Sequence, residues 1–364
     1  MAASDETEEG WSSAGDGALF MPTSDAWVRR LPAYRATVRD WPERGMLACS
    51  GGVDSTALLL LAGIAVRRED IAPFSVVHVN HLTRPEGATE GAVVEQLAAR
   101  FNLLMIHAVV DPADADSISS SPEDRLRALR YTALARVAAE HGWSSVVTAH
   151  TRDDQIETIL MRLLGGAGGL GAAGMLAHSS MATRAGVIAI HRPLLGVCRD
   201  ELVQVLQQLA HHLQEAGVSP LIDPSNADRR FRRNALRHDI IPQLSRTFPG
   251  YEPALIRSVR LAARDADALD AIANDIATRH TTITDDITSI EREFIRSSHP
   301  ALSSRLIRWA ASRLMPANQR ELSFERIESV RVAASGRIGA KIELPYGVVV
   351  RVERAEIVFE RRNL

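Results

Sequence analysis

The segment that decides the fold of this chain is Cys49-Ser50-Gly51-Gly52-Val53-Asp54-Ser55-Thr56, which lies between the apolar residues 46–48 and 57–61. An apolar run of strand length enters the segment, and a helical pattern leaves it. The glycines allow a tight turn and a close approach of the backbone to a ligand. The first amides of the helix have no partner inside it, so with the neighbouring hydroxyl groups they predict a binding site for an anion, most naturally phosphate.

Asp54 does not fit a simple phosphate site, because a carboxylate repels phosphate unless it binds a cation or caps the helix. For a lone Gly-Gly turn, the alternative is an ordinary strand–turn–helix with a glycine-rich bend. The segment is not a Walker loop, since it has no Gly-x-x-x-x-Gly-Lys. The function of this turn therefore has to be decided by the rest of the chain.

Length, charge and cysteine content exclude several classes of protein. The 364 residues are enough for roughly two or three domains, and the net charge of −3 does not indicate nucleic-acid binding. Cys49 and Cys198 do not have the spacing of a zinc site, an iron–sulfur site or a sulfur relay. No apolar run approaches the ~20 residues of a membrane span. The acidic, polar residues 1–24 predict a disordered leader, and we expect a cytoplasmic protein without a membrane partner.

Strands alternate with helices through the first part of the chain, which predicts an α/β fold with a doubly wound, mainly parallel sheet. A second region is expected to be helical over 253–333 and to end in a small β unit. We therefore predict a leader at 1–24, a catalytic domain at 25–245 and a C-terminal helical and β domain at 246–364. The expected strands are 46–48, 74–80, 103–109, 145–149, 187–191, 341–344, 348–352 and 356–360, and the expected helices include 25–40, 90–101, 122–141, 153–164, 199–212 and 254–280.

Polar residues follow three of the expected parallel strands, at Ser50–Ser55, Asn80-His81 and His150–Glu157. In such sheets a ligand binds outside the carboxyl ends of the strands, so these clusters are expected to share one crevice. Asp154 and Glu157 are three residues apart and share a helix face. Acidic residues in a first helical turn can also serve only as caps, which explains Asp153 well and Glu157 poorly. A carboxylate pair beside a phosphate site suits binding Mg²⁺, orienting an amine or removing its proton.

Two groups of arginines are candidates for phosphate contacts. Arg127 and Arg130 are three residues apart on one expected helix, where the alternative is a solvated face. The basic run 231–238 includes Arg233 and precedes a helix. Charge runs are usually solvated, but next to an ATP site this run becomes a candidate contact for the backbone of a nucleic acid.

Taken together, the motifs resemble those of the tRNA(Ile)-lysidine synthetases, which are N-type ATP pyrophosphatases with a PP-loop. The resemblance covers roughly residues 45–244. The motifs that carry it, in order, are Ser-Gly-Gly-Val-Asp-Ser at 50–55, His-Val-Asn-His at 78–81, Arg-Ala-Leu-Arg-Tyr at 127–131, Thr-Ala-His-Thr-Arg-Asp-Asp-Gln-Ile-Glu-Thr at 148–158, Gly-Met at 174–175, Arg-Pro-Leu-Leu at 192–195, Asp-Pro-Ser-Asn at 223–226 and Arg-Asn-x-x-Arg at 233–237.

The resemblance implies a PP-loop fold and a ligase reaction. ATP, with Mg²⁺, would adenylate O2 of the wobble cytidine in a CAU-anticodon isoleucine tRNA. The ε-amine of free L-lysine would then attack C2 and displace AMP, which forms lysidine. The C-terminal domain would help to bind the tRNA, and a homodimer is a candidate assembly.

The resemblance also assigns roles to residues of this chain. Asp154 and Glu157 would bind the lysine ammonium group and help to deprotonate it, since that amine is mostly protonated at neutral pH. Arg127 and Arg233 would contact ATP phosphates or the adenylated intermediate, and Asp54 is the candidate magnesium ligand. The nucleotide site would be formed by Ser50, Gly51, Gly52, Val53, Asp54, Ser55, His78, Asn80, His150 and Arg130.

One position departs from the family pattern, because Gly165-Gly166 stands where the family usually has Arg-Gly. The arginine that is absent here serves either the tRNA or a phosphate, so the role of the loop 165–174 in this chain is open. A tRNA thiolase on the same fold is an alternative, although it requires cysteine pairs that this chain lacks. The sequence also leaves open a PP-loop amidotransferase partner, for which no glutaminase pattern is visible, and a non-catalytic tRNA- or nucleotide-binding protein.

Overall fold

The computed structural model describes residues 27–80, 87–111, 122–167, 169–209, 229, 231–284, 286–315 and 322–362. The chain divides into two compact units, one formed by Met1–Gly165 with Gly174–Ala254 and the other by Gly166–Ala173 with Leu255–Leu364. The expected leader at 1–24, His81 and the Asp-Pro-Ser-Asn motif at 223–226 lie outside the described residues.

The first unit is an α/β fold in which helices and strands alternate. Its strands are β1 (Met46–Ala48), β2 (Ser75–Asn80), β3 (Met105–Val109), β4 (Ser145–Val147), β5 (His178–Thr183) and β6 (Gly186–His191). Its helices are α1 (Pro32–Arg39), α2 (Val53–Arg67), α3 (Gly87–Arg100), α4 (Pro122–Glu140), α5 (Arg152–Leu164), α6 (Arg199–Gln208), α7 (Arg232–Ala235) and α8 (Ile241–Thr247), with a π-helical turn at Leu236–Ile240 between the last two.

The strands of this unit form one sheet in the order β3-β2-β1-β4-β6-β5. All neighbouring pairs are parallel except β5 and β6, which form an antiparallel hairpin. The predicted doubly wound, mainly parallel sheet is therefore confirmed. Strand β5 was not predicted, because its residues His-Ser-Ser-Met-Ala-Thr alternate at the exposed edge of the sheet and lack a continuous apolar run.

Both faces of the sheet are covered, which is why its central strands are apolar almost throughout. Leu47 and Val76 pack into a cluster with α1, α2, α3 and α6. Met46 and Val77 point the other way into a cluster with α4. Helix α2 is buried from Ser55 to Ala65, so it is apolar around its whole circumference. The loop of residues 49–52 is thus held between a buried strand and a buried helix.

The second unit combines helices with a small antiparallel sheet in the order β7-β8-β11-β10-β9. The predicted C-terminal β unit is confirmed in three of these strands, but the prediction of helix throughout 253–333 is wrong. Residues Thr281–Ile283 and Ile287–Glu291 form a hairpin, as expected for β-branched side chains beside a buried sheet face. The elements are α9 (Tyr251–His280), β7 (Thr281–Ile283), β8 (Ile287–Glu291), α10 (Arg292–Ser297), α11 (Pro300–Leu314), α12 (Phe324–Ala334), β9 (Lys341–Glu343), β10 (Val348–Val352) and β11 (Glu356–Arg361).

The core of the second unit is separate from that of the first. Val348, Val350, Ile357 and Phe359 from β10 and β11 are fully buried against apolar residues of α11 and α12. Each such side chain contributes about 1.5–3 kcal/mol on burial, so this sheet and its helices have a hydrophobic core of their own.

Candidate active site

The turn between β1 and α2 has the geometry expected of an anion-binding loop. The last sheet hydrogen bond before it runs from the Cys49 amide to the Val77 carbonyl, at 2.9 Å. Gly51 then takes a φ of 83°, a left-handed conformation that favours glycine. Gly52 is the N-cap of α2 and has no side chain to satisfy the first amides of the helix. Those amides are therefore available to a ligand at the open end of the turn.

Hydroxyl groups fix the shape of this loop. The Thr56 hydroxyl donates to the Gly51 carbonyl at 3.1 Å, and the Ser55 hydroxyl donates to the Gly52 carbonyl at 3.0 Å. The hydroxyl oxygens of Ser50 and Ser55 are 3.2 Å apart. A hydroxyl group rotates freely to suit its partner, so Ser50 and Ser55 can turn toward a phosphate without a change of the backbone.

His78 and Asn80 lie on β2, the strand next to the loop. His78 is only 2% exposed, and its Nδ1 lies 3.0 Å from the Cys49 carbonyl oxygen. The ring therefore supports the start of the loop from inside the sheet. Asn80 is half-buried at the carboxyl end of the strand, which is the edge where the loop opens.

Asp54, in the first turn of α2, is paired with Arg199 at the start of α6. The Arg199 Nε lies 3.1 Å from each carboxylate oxygen, and its Nη2 donates a further hydrogen bond to Oδ2. Burial raises the pKa of Asp54, and the hydrogen bonds and charge of Arg199 offset only part of that effect. Burial alone would lower the pKa of Arg199, but the hydrogen bond and charge of Asp54 outweigh it and raise that pKa.

The N-terminus of α5 is built by its own side chains. Thr151 is the N-cap, and its amide and hydroxyl both donate to Asp154 Oδ2, at 2.8 and 2.9 Å, in a capping box. Asp153 instead accepts a hydrogen bond from the Arg199 amide at 2.8 Å and thereby caps α6. Arg199 therefore connects the phosphate loop to the acidic end of α5 through two contacts.

Asp154 and Glu157 are buried side by side, at 8% and 1% exposure, and two arginines bind them. Arg233 donates from Nε to Glu157 at 2.7 Å and from Nη2 to Asp154 at 3.0 Å. Arg237 donates from Nε and Nη2 to Glu157, the latter at 2.9 Å. Two carboxylates and two guanidinium groups therefore neutralise each other in a buried cluster, as buried charges require.

The charges of this cluster set the titration of Asp154. Burial alone would raise the pKa of its carboxyl group, but the charge of Arg233 and the hydrogen bond from the Thr151 amide outweigh burial and lower that pKa. Asp154 is therefore an ionised carboxylate at neutral pH. An ionised carboxylate can bind an ammonium group by charge and hydrogen bonds.

His150 lies directly after β4, with its Nδ1 2.8 Å from the Thr148 hydroxyl. Burial, together with the charges of Arg130 and Arg192, lowers its pKa to about 3 against the opposing charge of Asp154. The ring is therefore neutral at physiological pH. It can donate or accept a hydrogen bond there, but it does not contribute a positive charge.

Arg127 and Arg130 lie on α4 and both stack on Tyr131, with guanidinium carbons 5.0 and 5.3 Å from the ring centroid. Tyr131 is fully buried in the core beneath them. Arg192, directly after β6, is 4% exposed and donates to the Leu176 carbonyl at 2.7 Å. These arginines lie close enough to His150 for their charges to lower its pKa.

The structure thus brings together several predicted residues and adds three that sequence reasoning did not assign. Asp54, Asp154, Glu157 and Arg233 belong to one charged network, but Arg233 contacts the carboxylates that were predicted to bind lysine. The unassigned residues are Arg192, Arg199 and Arg237. Arg192 and Arg237 stand in quoted motifs, Arg-Pro-Leu-Leu and Arg-Asn-x-x-Arg, whereas no local pattern distinguishes Arg199.

The residues around Asp54 do not fit a resident magnesium site. Both of its carboxylate oxygens accept hydrogen bonds from Arg199. Within the described ranges, no three His, Cys, Asp or Glu side chains group as metal ligands. Magnesium in nucleotide sites is commonly held by one or two carboxylates plus substrate phosphates, so the prediction of Asp54 as a ligand requires Arg199 to move.

Among the helices that the structure describes, none is long and apolar enough to cross a membrane.

Comparison with known proteins shows which family this chain is similar to. The PP-loop domain family matches residues 32–244. A tRNA(Ile)-lysidine synthase from Geobacter sulfurreducens is 33% identical over 347 residues, which are 93% of this chain and 70% of the relative. One from Dehalococcoides mccartyi is 30% identical over 85% of this chain and 64% of the relative. One from Novosphingobium aromaticivorans is 42% identical over 53% of this chain and 55% of the relative.

A solved structure agrees with the fold. The U34-tRNA thiolase of Methanococcus maripaludis superposes with a TM-score of 0.50 at 15% identity, over 66% of this chain and 80% of that one. At that identity the likeness shows the fold alone. The chain spans a little under two thirds of the Dehalococcoides relative and just over half of the Novosphingobium relative. On the match of its PP-loop domain and its similarity to these relatives, this chain belongs to the tRNA(Ile)-lysidine synthase family of PP-loop enzymes.

Proposed function

We propose that this protein joins free lysine, through its ε-amine, to C2 of the wobble cytidine of CAU-anticodon tRNA(Ile), with release of AMP and pyrophosphate. The observation that carries the proposal is the buried Asp154–Glu157 pair, which Arg199 links to the phosphate loop through Asp153 and Asp54. A nucleotide site beside a paired carboxylate site is what an ATP-dependent ligation of an amine requires.

We assign the binding of ATP to the loop between β1 and α2. The amides at the start of α2 and the hydroxyls of Ser50 and Ser55 would bind ATP phosphates and hold the α-phosphate near O2 of the cytidine. Charge builds up on the phosphate oxygens as the cytidine is adenylated, and fixed amide dipoles stabilise that charge. Mg²⁺ is assigned to the ATP as part of the substrate, with no step that depends on a resident metal.

We assign the binding of the lysine ε-amine to Asp154 and Glu157. A lysine ε-amine has a pKa of ~10.4 in water, so it arrives as an ammonium group, which two carboxylates bind well. It must lose a proton before it attacks C2, and the carboxylate cluster provides an acceptor for that proton. Lysine binding requires Arg233 or Arg237 to release part of its contact, because both guanidinium groups now fill the acceptor sites of Glu157.

Bound phosphate gives those arginines an alternative partner. When an anion enters beside the cluster, a guanidinium group can exchange a carboxylate for a phosphate oxygen at little cost, since both are bidentate acceptors. The carboxylates are then available to the ammonium group. ATP and lysine should therefore bind with positive coupling, which fits the predicted phosphate contact of Arg233.

The second unit is assigned to tRNA binding, consistent with a C-terminal domain predicted from residue 246. Arg257, Arg260 and Arg264 are exposed on α9 at spacings of three and four residues, so they form a row along one helix face. Such a row suits contacts to an RNA phosphate backbone, whose strength falls with salt. Reversal of Arg257 and Arg260 to Glu should weaken tRNA binding and leave ATP binding unchanged. Equal loss of both would contradict this assignment.

The reaction is placed in the cytoplasm, where tRNA, ATP and free lysine meet. A second copy of the chain as a partner stays a prediction, which sedimentation at two protein concentrations would test.

The function is tested by incorporation of labelled lysine into unmodified CAU-anticodon tRNA(Ile), with ATP and Mg²⁺ and with the elongator methionine tRNA as control. We expect label in the isoleucine tRNA alone and one AMP released per lysine. AMP release without label would keep the adenylating activity and refute lysine as the nucleophile.

A further inference from the structure

An exposed phenylalanine precedes the arginines that bind the carboxylate pair. Phe231 stands directly before α7, and its carbonyl accepts a hydrogen bond from the Ala235 amide at 3.0 Å. Two residues later, Arg233 donates to Glu157 at 2.7 Å and to Asp154 at 3.0 Å. The aromatic ring therefore lies within one helical turn of a residue that contacts both candidate catalytic carboxylates.

The ring of Phe231 is not part of a hydrophobic core. It is 46% exposed, and neither apolar cluster of the first unit includes it. Arg233 and Arg237 are four residues apart and share the helix face that meets the carboxylates. A residue two positions before Arg233 points to another side of the helix, so the ring faces solvent beside the site.

The side chains next to this ring in the chain are basic and exposed. Arg229 is exposed and forms a salt bridge with Asp239, which is itself 43% exposed. Arg232 is exposed, and across the described ranges it takes part in no salt bridge. An aromatic ring beside an uncompensated guanidinium group is typical of surfaces that bind single-stranded nucleic acid.

The surroundings of the ring favour a nucleobase over an apolar protein partner. A protein-binding patch is a contiguous apolar surface of several hundred Å². The three residues that follow Phe231 are Arg232, Arg233 and Asn234, so the ring stands alone among polar groups. A base on a phosphate backbone offers a planar face to the ring and a negative charge to the arginine.

We infer that Phe231 stacks on an unpaired base of the RNA substrate beside the target cytidine, and that Arg232 contacts the adjacent phosphate. The inference rests on the proposed function for the identity of the RNA. Phe231 acts as a positioning residue, because a neighbouring base that is fixed on the ring keeps the cytidine near the carboxylates and the phosphate loop. Unpaired loops are the parts of an RNA whose bases are free to stack on a protein.

The test is the affinity of the full chain for a hairpin RNA with the sequence of the anticodon arm. Loss of one stacked base costs about 5- to 150-fold in affinity. We expect Phe231→Leu, which keeps an apolar side chain without a ring, to weaken binding by a factor in this range. Phe231→Tyr and Phe231→Trp keep the ring and should bind nearly as well as the wild type.

The stacked base is identified by replacing each loop nucleotide in turn with an abasic one. We expect one abasic position to weaken binding to the wild type and to have no effect on binding to Phe231→Leu, because the two changes remove the same contact. With the complete tRNA, Phe231→Leu should raise KM and leave kcat nearly unchanged, since the stack is equally strong in the bound substrate and in the transition state.

The matched control is Phe248→Leu. Phe248 is 61% exposed, belongs to the same unit and lies two residues after an arginine, Arg246, but it follows α8 at the end away from the carboxylates. We expect Phe248→Leu to bind the hairpin like the wild type. Equal losses in Phe231→Leu and Phe248→Leu would show a general apolar effect and overturn the inference.

Three further outcomes would overturn it. If every abasic position has the same effect on the wild type and on Phe231→Leu, the ring stacks on no loop base. If ATP affinity falls while hairpin affinity is unchanged, the ring binds the adenine of ATP. If only the unfolding midpoint falls, Phe231 supports the start of α7. Should Phe231→Leu not fold, Phe231→Trp reports the same contact, since the intact hairpin should quench its added emission and the abasic hairpin should not.

The binding measurement also separates this inference from the proposed function, because it requires neither ATP nor lysine. Stacking of a loop base on Phe231 in a protein that transfers no lysine would refute the proposed function and support the inference. Formation of lysidine by Phe231→Leu at the wild-type KM for tRNA would refute the inference alone.

Discussion

Replacement of Glu157 by Gln tests whether the buried charged cluster stabilises the end of α5. Glu157 is 1% exposed and accepts hydrogen bonds from both Arg233 and Arg237. Glutamine has the same shape but no charge, so two guanidinium groups would share only the carboxylate of Asp154. The substitution therefore removes a charge and leaves its partners in place.

The expected loss follows from the exposure of the arginines. Removal of one partner from a fully buried ion pair costs roughly 3–5 kcal/mol. The side chains of Arg233 and Arg237 are 28% and 21% exposed, so water screens part of the uncompensated charge. We expect Glu157→Gln to lower the free energy of unfolding by about 2–3 kcal/mol, which corresponds to a midpoint lower by roughly 4–12 °C for a unit of this size.

The assay is scanning calorimetry combined with hydrogen exchange of the amides of α5. The matched control is Glu293→Gln in the second unit, where Glu293 forms an exposed pair with Arg296 at 2.8 Å and its loss should not be measurable. Addition of Arg237→Gln to Glu157→Gln should recover part of the stability, because it removes one of the unpaired charges. If Glu157→Gln is as stable as Glu293→Gln, the cluster does not stabilise α5 and this reasoning is refuted.

Three further predictions concern the loop and its surroundings. Gly51→Ala should destabilise the protein by about 1–2 kcal/mol, because Gly51 has a φ of 83°. Gly52→Ala should change the unfolding free energy by less than about 0.5 kcal/mol, because an added Cβ makes only an ordinary contact there. Equal effects of the two variants in urea titrations would contradict the loop geometry. Arg199→Met should leave Asp54 as an unpaired carboxylate with a still higher pKa. Because that carboxylate repels the ATP phosphates, the ATP affinity of the variant should rise as the pH falls and the carboxylate is protonated. A pH-independent ATP affinity would argue against the pairing of Asp54 with Arg199. The pKa of His150 is about 3 in the folded chain and ~6.5 in the unfolded chain. Its contribution to stability is therefore full above pH ~6.5 and is lost as the pH falls toward 3. The wild-type curve of stability against pH minus the His150→Gln curve should show this slope, and a flat difference would contradict it.

Local patterns were sufficient to predict the first unit except for β5, because its other elements form where the periodicity of the sequence changes. Residues 75–79 of β2 are all buried, which matches an apolar, β-branched run, and α2 follows a Ser/Gly turn with a strong apolar pattern. The hairpin at β7 and β8 could not be separated from the helices around it, because its strands are short and β11, the other partner of β8, lies about seventy residues later. A strand that depends on a distant partner has little local signal.

Part of the candidate active site could likewise be predicted from the sequence. Asp154 and Glu157 could be placed on one helix face from their spacing alone, and the structure has both buried there. Their partners could not be predicted, because Arg233 and Arg237 reach them from about eighty residues away. Arg199 was not identified because a single arginine at the start of a helix has no distinguishing pattern, although its guanidinium group binds Asp54.

The central claim is that the carboxylate pair delivers the ε-amine of lysine to a cytidine activated at the neighbouring loop. The most direct test is mass analysis of the wobble nucleoside after reaction of wild type and Asp154→Asn with lysine that carries heavy nitrogen only at its ε position. The account predicts that the wild type forms lysidine with the heavy atom bonded to C2, and that Asp154→Asn forms little of it while still binding ATP. Attachment through the α-amine, or full product formation by Asp154→Asn, would contradict the account.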